Sequence, residues 1–231
     1  DGKYLGDWGK GILQGPHGVR VHKDTVWVTD VNTHQAHQFT LKGKLLRSFG
    51  KKGKPGDGAD QFNKPTDFAF GPDGAIYISD GYVNTRVVCL APDGSVRTIW
   101  GEKGKGPGQF SLVHAIAIDR GGRVYVGDRN NNRVQIFDLK GKFIAQWKNV
   151  GKPYGLYACP DGSIFLCGVE PSNGKFRVLK LNDQGKVLAE FGQTGKGPGQ
   201  FLMAHSIYVD RSGGVVVADG KANRLQKFIT G

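Results

Sequence analysis

Three histidines, His17, His114 and His205, are of a type and spacing that could bind a metal ion. Each opens the first strand of a repeated segment, and they fall in the first, third and fifth copies of that segment. In a ring of repeated units, this strand lines the central axis, so the three side chains would point inward. Three imidazoles leave one tetrahedral position of zinc open for water or substrate, as in catalytic zinc sites. One histidine here would more often be an ordinary channel residue, but three in alternate repeats favour a ligand set.

The repeat has a period of roughly 40 to 50 residues, which is typical of β-propellers. Each copy contains short strands with alternating apolar residues, joined by tight turns such as Pro72-Asp73-Gly74. No segment has the apolar period of an amphipathic helix. We therefore predict an all-β fold, a single β-propeller domain over 1–231 with five blades of four antiparallel strands. The repeats cover about 15–50, 64–100, 112–148, 152–192 and 203–229.

The first residues are expected to complete the last repeat. Segment 1–9 resembles the fourth strand at 42–50, whereas the fifth repeat stops after its third strand. An N-terminal strand in that place would close the ring and remove exposed sheet edges.

The histidine spacing also bears on the number of blades. Alternate blades of a six-bladed ring lie about 120° apart, so three ligands would meet symmetrically on the axis. In a closed five-bladed ring, the first and fifth blades would be neighbours. The spacing therefore favours one of two explanations. Either the chain derives from a six-bladed parent whose first blade is missing here, or a blade has been lost and the three histidines form a skewed site.

A loop motif follows the second strand of several repeats and contains an aspartate and an arginine. Because these residues recur, we expect them to shape loops and to form ion pairs between blades. They are Asp80, Asp128, Asp219, Arg86, Arg133 and Arg224. Tyr82 and Arg129 do not recur, and both lie at one mouth of the channel. Alone, Tyr82 could be an aromatic lid and Arg129 a salt-bridge partner; beside the histidines, both are candidate catalytic residues.

The formal net charge of +12 suggests a second class of function. Lysines cluster in the connectors at 51–54 and 103–105, and a basic face could bind RNA or DNA. The alternative is a solvated rim, which we favour because no exposed aromatic residues alternate with the lysines. Cys89, Cys159 and Cys167 are expected to be buried free thiols. No apolar run is long enough to span a bilayer, and no signal peptide is visible.

The repeats resemble NHL repeats, and a more specific resemblance extends over nearly the whole chain. The segments PHGVRV, ISDGYVNTR, GQFSLVHAIAI, GDRNNNRVQIF and AHSIYV are similar to those of the peptidyl-α-hydroxyglycine α-amidating lyases. The resemblance implies a zinc ion held by His17, His114 and His205, with Tyr82 as the base and Arg129 as a second catalytic residue. The implied carbon–nitrogen lyase reaction splits a C-terminal α-hydroxyglycine into a peptide amide and glyoxylate.

The chain departs from this family at several positions. The family's first blade, with another catalytic arginine, has no counterpart before Asp1. Ser206 stands where animal members have an acidic calcium ligand, so a structural calcium ion is not expected. The resemblance slightly favours a secreted or periplasmic location. The alternative function is an NHL-repeat module that binds RNA or protein without catalysis; oligomeric state is not predicted.

Overall fold

Alternating apolar residues form hairpins at the centre of each repeat. In the second repeat, Phe68 pairs with Ile78 across a turn in which Gly74 has a φ of +84°. Glycine adopts this left-handed conformation without the strain that a Cβ would cause. The computed structural model, which describes residues 3–229, contains five such antiparallel sheets, the blades of a β-propeller.

The first two blades have four strands each. Blade 1 consists of β1 (Pro16–His22), β2 (Thr25–Asp30), β3 (Gln35–Thr40) and β4 (Leu45–Phe49). Blade 2 consists of β5 (Asp67–Phe70), β6 (Ile76–Asp80), β7 (Arg86–Leu90) and β8 (Val96–Trp100). Two short parallel strands, β9 (Glu102–Lys103) and β10 (Gln109–Phe110), then connect blade 2 to blade 3.

The remaining blades continue the same order. Blade 3 consists of β11 (Val113–Ile118), β12 (Val124–Asp128), a 3-10 helix (Arg129–Asn131), β13 (Arg133–Phe137) and β14 (Phe143–Trp147). Blade 4 consists of β15 (Lys152–Ala158), β16 (Ile164–Val169), β17 (Phe176–Leu181) and β18 (Val187–Phe191). After the connector strands β19 (Gln193–Thr194) and β20 (Gln200–Phe201), blade 5 has β21 (Ala204–Val209), β22 (Val215–Asp219) and β23 (Arg224–Phe228).

Apolar faces of neighbouring blades pack against each other to form the core. Between blades 2 and 3, for example, Val87 and Ile116 lie in one buried cluster with Val126. The innermost strands, β1, β5, β11, β15 and β21, contact one another in that order. The expected all-β propeller is therefore confirmed, with each first strand on the inner side of its blade.

The expected N-terminal strand is wrong for the residues that the structure describes. Residues 3–9 form no strand, and blade 5 has three strands within 3–229; residues 1 and 2 lie outside the described residues. Instead, the Trp8 ring packs on Phe39, with centroids 4.8 Å apart, while Ile12 and Leu13 cover the same face of blade 1. The segment packs on an apolar face of blade 1 that, within residues 3–229, no other blade covers.

A cleft of about 790 Å³ separates blade 5 from blade 1. Four apolar side chains that line it are 49 to 72 % exposed, in contrast to the buried residues at the other blade contacts: Val19, Val21, Tyr208 and Leu225. The five blades thus form an arc with a gap, rather than a ring whose ends pack together.

Two other expectations concern the rest of the described chain. The three cysteines are free and buried, as expected. Within residues 3–229, no helix has the length and apolar character needed to cross a membrane.

Candidate metal centre

The three histidines lie at β-bulges where the inner strands begin. The pairing of β1 with β2 is interrupted between Pro16 and Val19, and the same interruption occurs around His114 and His205. A bulge adds a residue to one strand and redirects its side chain. Repetition of this local irregularity turns three imidazoles toward the axis.

The imidazole rings form a nearly equilateral triangle. Ring centroids are 5.0 Å apart for His17 and His114, 4.9 Å for His17 and His205, and 4.8 Å for His114 and His205. Their possible ligand atoms all lie within 4.8 Å of one another. An equal-sided triangle is the arrangement expected for alternate blades of a six-fold ring. The cleft between blades 5 and 1 allows the same triangle to form with five blades.

Backbone carbonyls orient two of the rings. His17 Nδ1 lies 2.7 Å from the carbonyl oxygen of Thr66, and His114 Nδ1 lies 2.7 Å from that of Tyr154. A carbonyl only accepts hydrogen bonds, so each Nδ1 carries the proton and each Nε2 keeps its lone pair for a metal. His205 makes no such bond within residues 3–229, because the cleft lies where the next blade would supply a carbonyl.

Burial keeps the triad uncharged. It lowers the pKa of His17, lowers that of His114 well below its usual range, and lowers that of His205 to about 4. Neutral imidazole is the form that binds metal ions. Within residues 3–229, these histidines are the one group of three or more possible ligand residues that could hold a metal ion. Three imidazoles are a donor set that suits zinc.

Tyr82 lies directly beside the triad. Its hydroxyl is 3.0 Å from His17 Nε2 and 3.3 Å from His114 Nε2. The preceding Gly81 permits this approach, because a Cβ there would lie 1.6 Å from the carbonyl oxygen of Val113. Burial raises the pKa of Tyr82, and the charge of Arg129 opposes that rise.

Arg129 lies at the same mouth, between two tyrosine rings. Its Cζ is 5.7 Å from the ring centroid of Tyr82 and 4.9 Å from that of Tyr154. Its guanidinium has no carboxylate partner in the described chain, so the alternative of an inter-blade salt bridge is not found there. A partly buried, unpaired guanidinium suits binding of an anion.

The recurring aspartates and arginines pair within blades, not between them as expected. Asp80 and Arg86 are cross-strand partners at the end of a hairpin, with Arg86 Nε 2.9 Å from Asp80 Oδ2. Asp128 and Arg133 repeat this arrangement at 2.9 Å. Each arginine also donates hydrogen bonds to connector carbonyls, so the expected role in shaping loops is confirmed.

Sequence reasoning placed Tyr154 at the same inward-facing repeat position as the histidines but gave it no role in the site. It missed Arg20 altogether. Arg20 extends across the axis, with Nη2 2.7 Å from Asp67 Oδ2 and 3.4 Å from the carbonyl oxygen of Leu156. Burial raises the pKa of Asp67, and the charge of Arg20 opposes the rise.

Comparison with known proteins agrees with this architecture. The NHL repeat model matches residues 110–137 and 201–228, the segments that contain His114 and His205. NHL repeat-containing protein 3 of Mus musculus is 31% identical over 246 residues, covering 99% of this chain and 70% of that protein. The chain belongs to the NHL-repeat family.

Other similar proteins have names that refer to amidation. Peptidyl-alpha-hydroxyglycine alpha-amidating lyase 1 of Drosophila melanogaster is 29% identical over 257 residues, covering 99% of this chain and 47% of that protein. Peptidyl-glycine alpha-amidating monooxygenase of Mus musculus is 32% identical over 236 residues, covering 95% of this chain. The NHL-repeat chain spans about a quarter of the length of the mouse monooxygenase.

A solved structure supports the fold alone. A chain in the crystal structure of a nidogen/laminin complex superposes with a TM-score of 0.66 at 18% identity, over 92% of this chain and 74% of that chain.

Proposed function

We propose that this NHL-repeat protein is a zinc-dependent lyase that cleaves peptidyl-α-hydroxyglycine into a peptide amide and glyoxylate. The observation that carries the proposal is the Tyr82 hydroxyl, which lies within hydrogen-bond distance of two of the three triad imidazoles. Similarity to proteins named as amidating lyases supports the same reaction class.

His17, His114 and His205 would hold the zinc ion through Nε2. Bound zinc supplies a Lewis acid that lowers the pKa of a hydroxyl group. The two backbone carbonyls that accept hydrogen bonds from Nδ1 of His17 and His114 keep these rings in the tautomer required for binding.

Tyr82 would move the proton in the reaction. Its phenolate takes the proton of the substrate hydroxyl, the O–H electron pair forms the aldehyde C=O of glyoxylate, and the C–N bond breaks. The C–N electron pair stays on the amide nitrogen, which receives the same proton back from Tyr82. Burial alone favours the neutral phenol, so the positive charge of Arg129 and of the metal is needed to favour the phenolate.

Arg129 would bind the substrate carboxylate. Its planar guanidinium can donate two parallel hydrogen bonds to a carboxylate. Its position over the Tyr82 ring would place the carboxylate beside the base, so that the adjacent hydroxyl lies near the triad.

The direct test is glyoxylate release from a short peptide that ends in α-hydroxyglycine, using zinc-loaded protein. Tyr82→Phe should lower kcat by about 10²- to 10⁴-fold, the usual contribution of a general acid–base. Tyr157→Phe is the control, since Tyr157 contacts Tyr208 and not the triad. Equal activity of wild type and Tyr82→Phe would contradict the proposed role.

A second candidate function is nucleic-acid binding by the basic connectors. The net charge is +12, and Lys51, Lys52, Lys54, Lys103 and Lys105 are exposed. Binding of single-stranded RNA with an affinity that falls steeply with salt would support this function. Failure to bind RNA at 50 mM salt would contradict it.

A further inference from the structure

We propose that Tyr154 is a positioning residue that holds the Arg129 guanidinium over the histidine triad, where it receives a small carboxylate ligand. This proposal rests on the proposed function and deepens it. Tyr154 lies in the bulge that begins β15, at the position equivalent to the histidines of blades 1, 3 and 5. The same local irregularity that aims the metal ligands therefore aims this ring into the site.

The ring of Tyr154 contacts both the triad and the arginine. Its centroid is 5.3 Å from that of His114 and 5.8 Å from that of His205. Arg129 Cζ is 4.9 Å from the same centroid, a closer approach than the 5.7 Å to Tyr82. Within this site, Tyr154 is thus the nearer of the two aromatic contacts that hold the cation.

The position of the ring is itself restrained. Phe176 packs edge-on against it, with centroids 6.0 Å apart, and the Tyr154 carbonyl accepts a hydrogen bond from His114 Nδ1. Packing on a fixed aromatic face restricts the long arginine side chain before a ligand binds, so less conformational entropy is lost on binding. Arg129 has no carboxylate partner within 3–229, so its charge is left for a ligand.

A guanidinium held in this place suits a small ligand with a terminal carboxylate. The carboxylate would pair with Arg129. A second oxygen, bonded to the carbon next to the carboxylate, would reach the triad. The hydroxyglycine end of the proposed substrate and the product glyoxylate both have this arrangement. Tyr154 would then affect affinity for the carboxylate more than the proton transfer at Tyr82.

The test measures glyoxylate binding to zinc-loaded protein by calorimetry, with lyase kinetics beside it. Tyr154→Leu should weaken glyoxylate binding and raise KM by about three- to thirtyfold, as expected for loss of a cation–π contact, with a smaller change in kcat. Tyr154→Phe keeps the aromatic face and should stay within about twofold of wild type. Zinc content should stay unchanged, because the carbonyl that accepts from His114 belongs to the backbone.

Two controls separate positioning from a general structural effect. Tyr157→Leu alters a tyrosine on the same strand that packs on Tyr208, and it should leave glyoxylate binding unchanged. In an Arg129→Met background, Tyr154→Leu should cause no further loss, because the two residues act through one contact. If leucine at 154 unfolds the blade, Tyr154→Met provides the same comparison.

Three results would overturn the proposal. The wild-type protein does not bind glyoxylate, Tyr154→Leu binds it with wild-type affinity, or Tyr154→Leu loses the same affinity whether or not Arg129 is present. If glyoxylate binding depends on both residues but wild-type protein releases no glyoxylate from the peptide, the carboxylate site stands and the lyase function fails. If the lyase is active and Tyr154→Leu behaves as wild type, the lyase function stands and the role of Tyr154 fails.

Discussion

The contact at Gly81 connects the fold to the site, and we predict that Gly81→Ala damages both. A Cβ at this position would lie 1.6 Å from the carbonyl oxygen and 2.4 Å from the carbonyl carbon of Val113. A carbon–oxygen contact needs about 3.3 Å, so blades 2 and 3 must separate locally by roughly 1.7 Å. Tyr82 follows Gly81 and His114 follows Val113, so this shift acts on the 3.3 Å contact between those side chains.

The expected magnitude follows from overpacking and from misplacement. Overpacking of this kind costs about 1–3 kcal/mol, which would lower the unfolding midpoint by about 2 to 12 °C for a chain of this size. Displacing a catalytic group by about 1 Å can lower a rate about 10²-fold. Gly81→Ala should therefore lose most of its lyase activity, while the decrease in its unfolding midpoint stays small enough for the protein to remain folded at assay temperature.

Thermal unfolding and glyoxylate release are the two assays. Gly121→Ala is the matched control, because its Cβ would meet one side-chain atom, Oδ1 of Asp119 at 3.3 Å, and no backbone atom within 4 Å. A Gly81→Ala protein with the unfolding midpoint and activity of Gly121→Ala would refute the argument that this close approach positions Tyr82.

Three further predictions concern titration, an ion pair and the cleft. Because the folded-state pKa of His205 is lowered to about 4, the unfolded chain binds more protons than the folded chain between about pH 4 and 6.5. In chemical denaturation of metal-free protein, the unfolding free energy should therefore decrease as the pH is lowered from 6.5 to 4, by up to about 3 kcal/mol for this residue. His205→Gln should remove that share of the pH dependence. Arg133→Met leaves the buried Asp128 without its ion-pair partner and should cost about 3–5 kcal/mol in urea unfolding, whereas Arg97→Met, at an exposed ion pair, should cost much less; equal losses would contradict the role of burial. Leu225→Ser in the cleft should change the unfolding free energy by less than about 1 kcal/mol, and Val217→Ser in the core by about 2–4 kcal/mol; a large loss at Leu225 would mean that this side chain is covered in solution.

The parts of the fold predicted correctly from sequence depend on local pattern. Alternating apolar residues and turns such as Pro72-Asp73-Gly74 determine hairpins within a few residues, so the blades could be delimited from the repeats. Residues 3–9 were misplaced because the likeness of segment 1–9 to a fourth strand carries no information about which apolar faces are uncovered. Trp8 packs on blade 1 because Phe39 lies on such a face.

The main residues of the site, like the blades, could be predicted from the repeat pattern. The repeat position brought His17, His114 and His205 together, and the structure places Tyr82 and Arg129 beside them. The bulges at these positions have no signature in a single sequence, so the contact of Tyr154 with Arg129 was not foreseen, although the repeat position predicted that Tyr154 points inward. The ion pairs were expected between blades because their cross-strand register was not considered: Arg86 faces Asp80 within one hairpin.

The metal content of the protein tests the central claim most directly. Protein purified without chelator, then incubated with excess zinc and desalted, should contain about one zinc per chain by elemental analysis, because three neutral imidazoles meet at one point. His114→Ala should lose that zinc, while His22→Ala, at a histidine that stacks on Phe70 away from the triad, should keep it. Wild-type protein without zinc, or His114→Ala with undiminished zinc, would contradict the account.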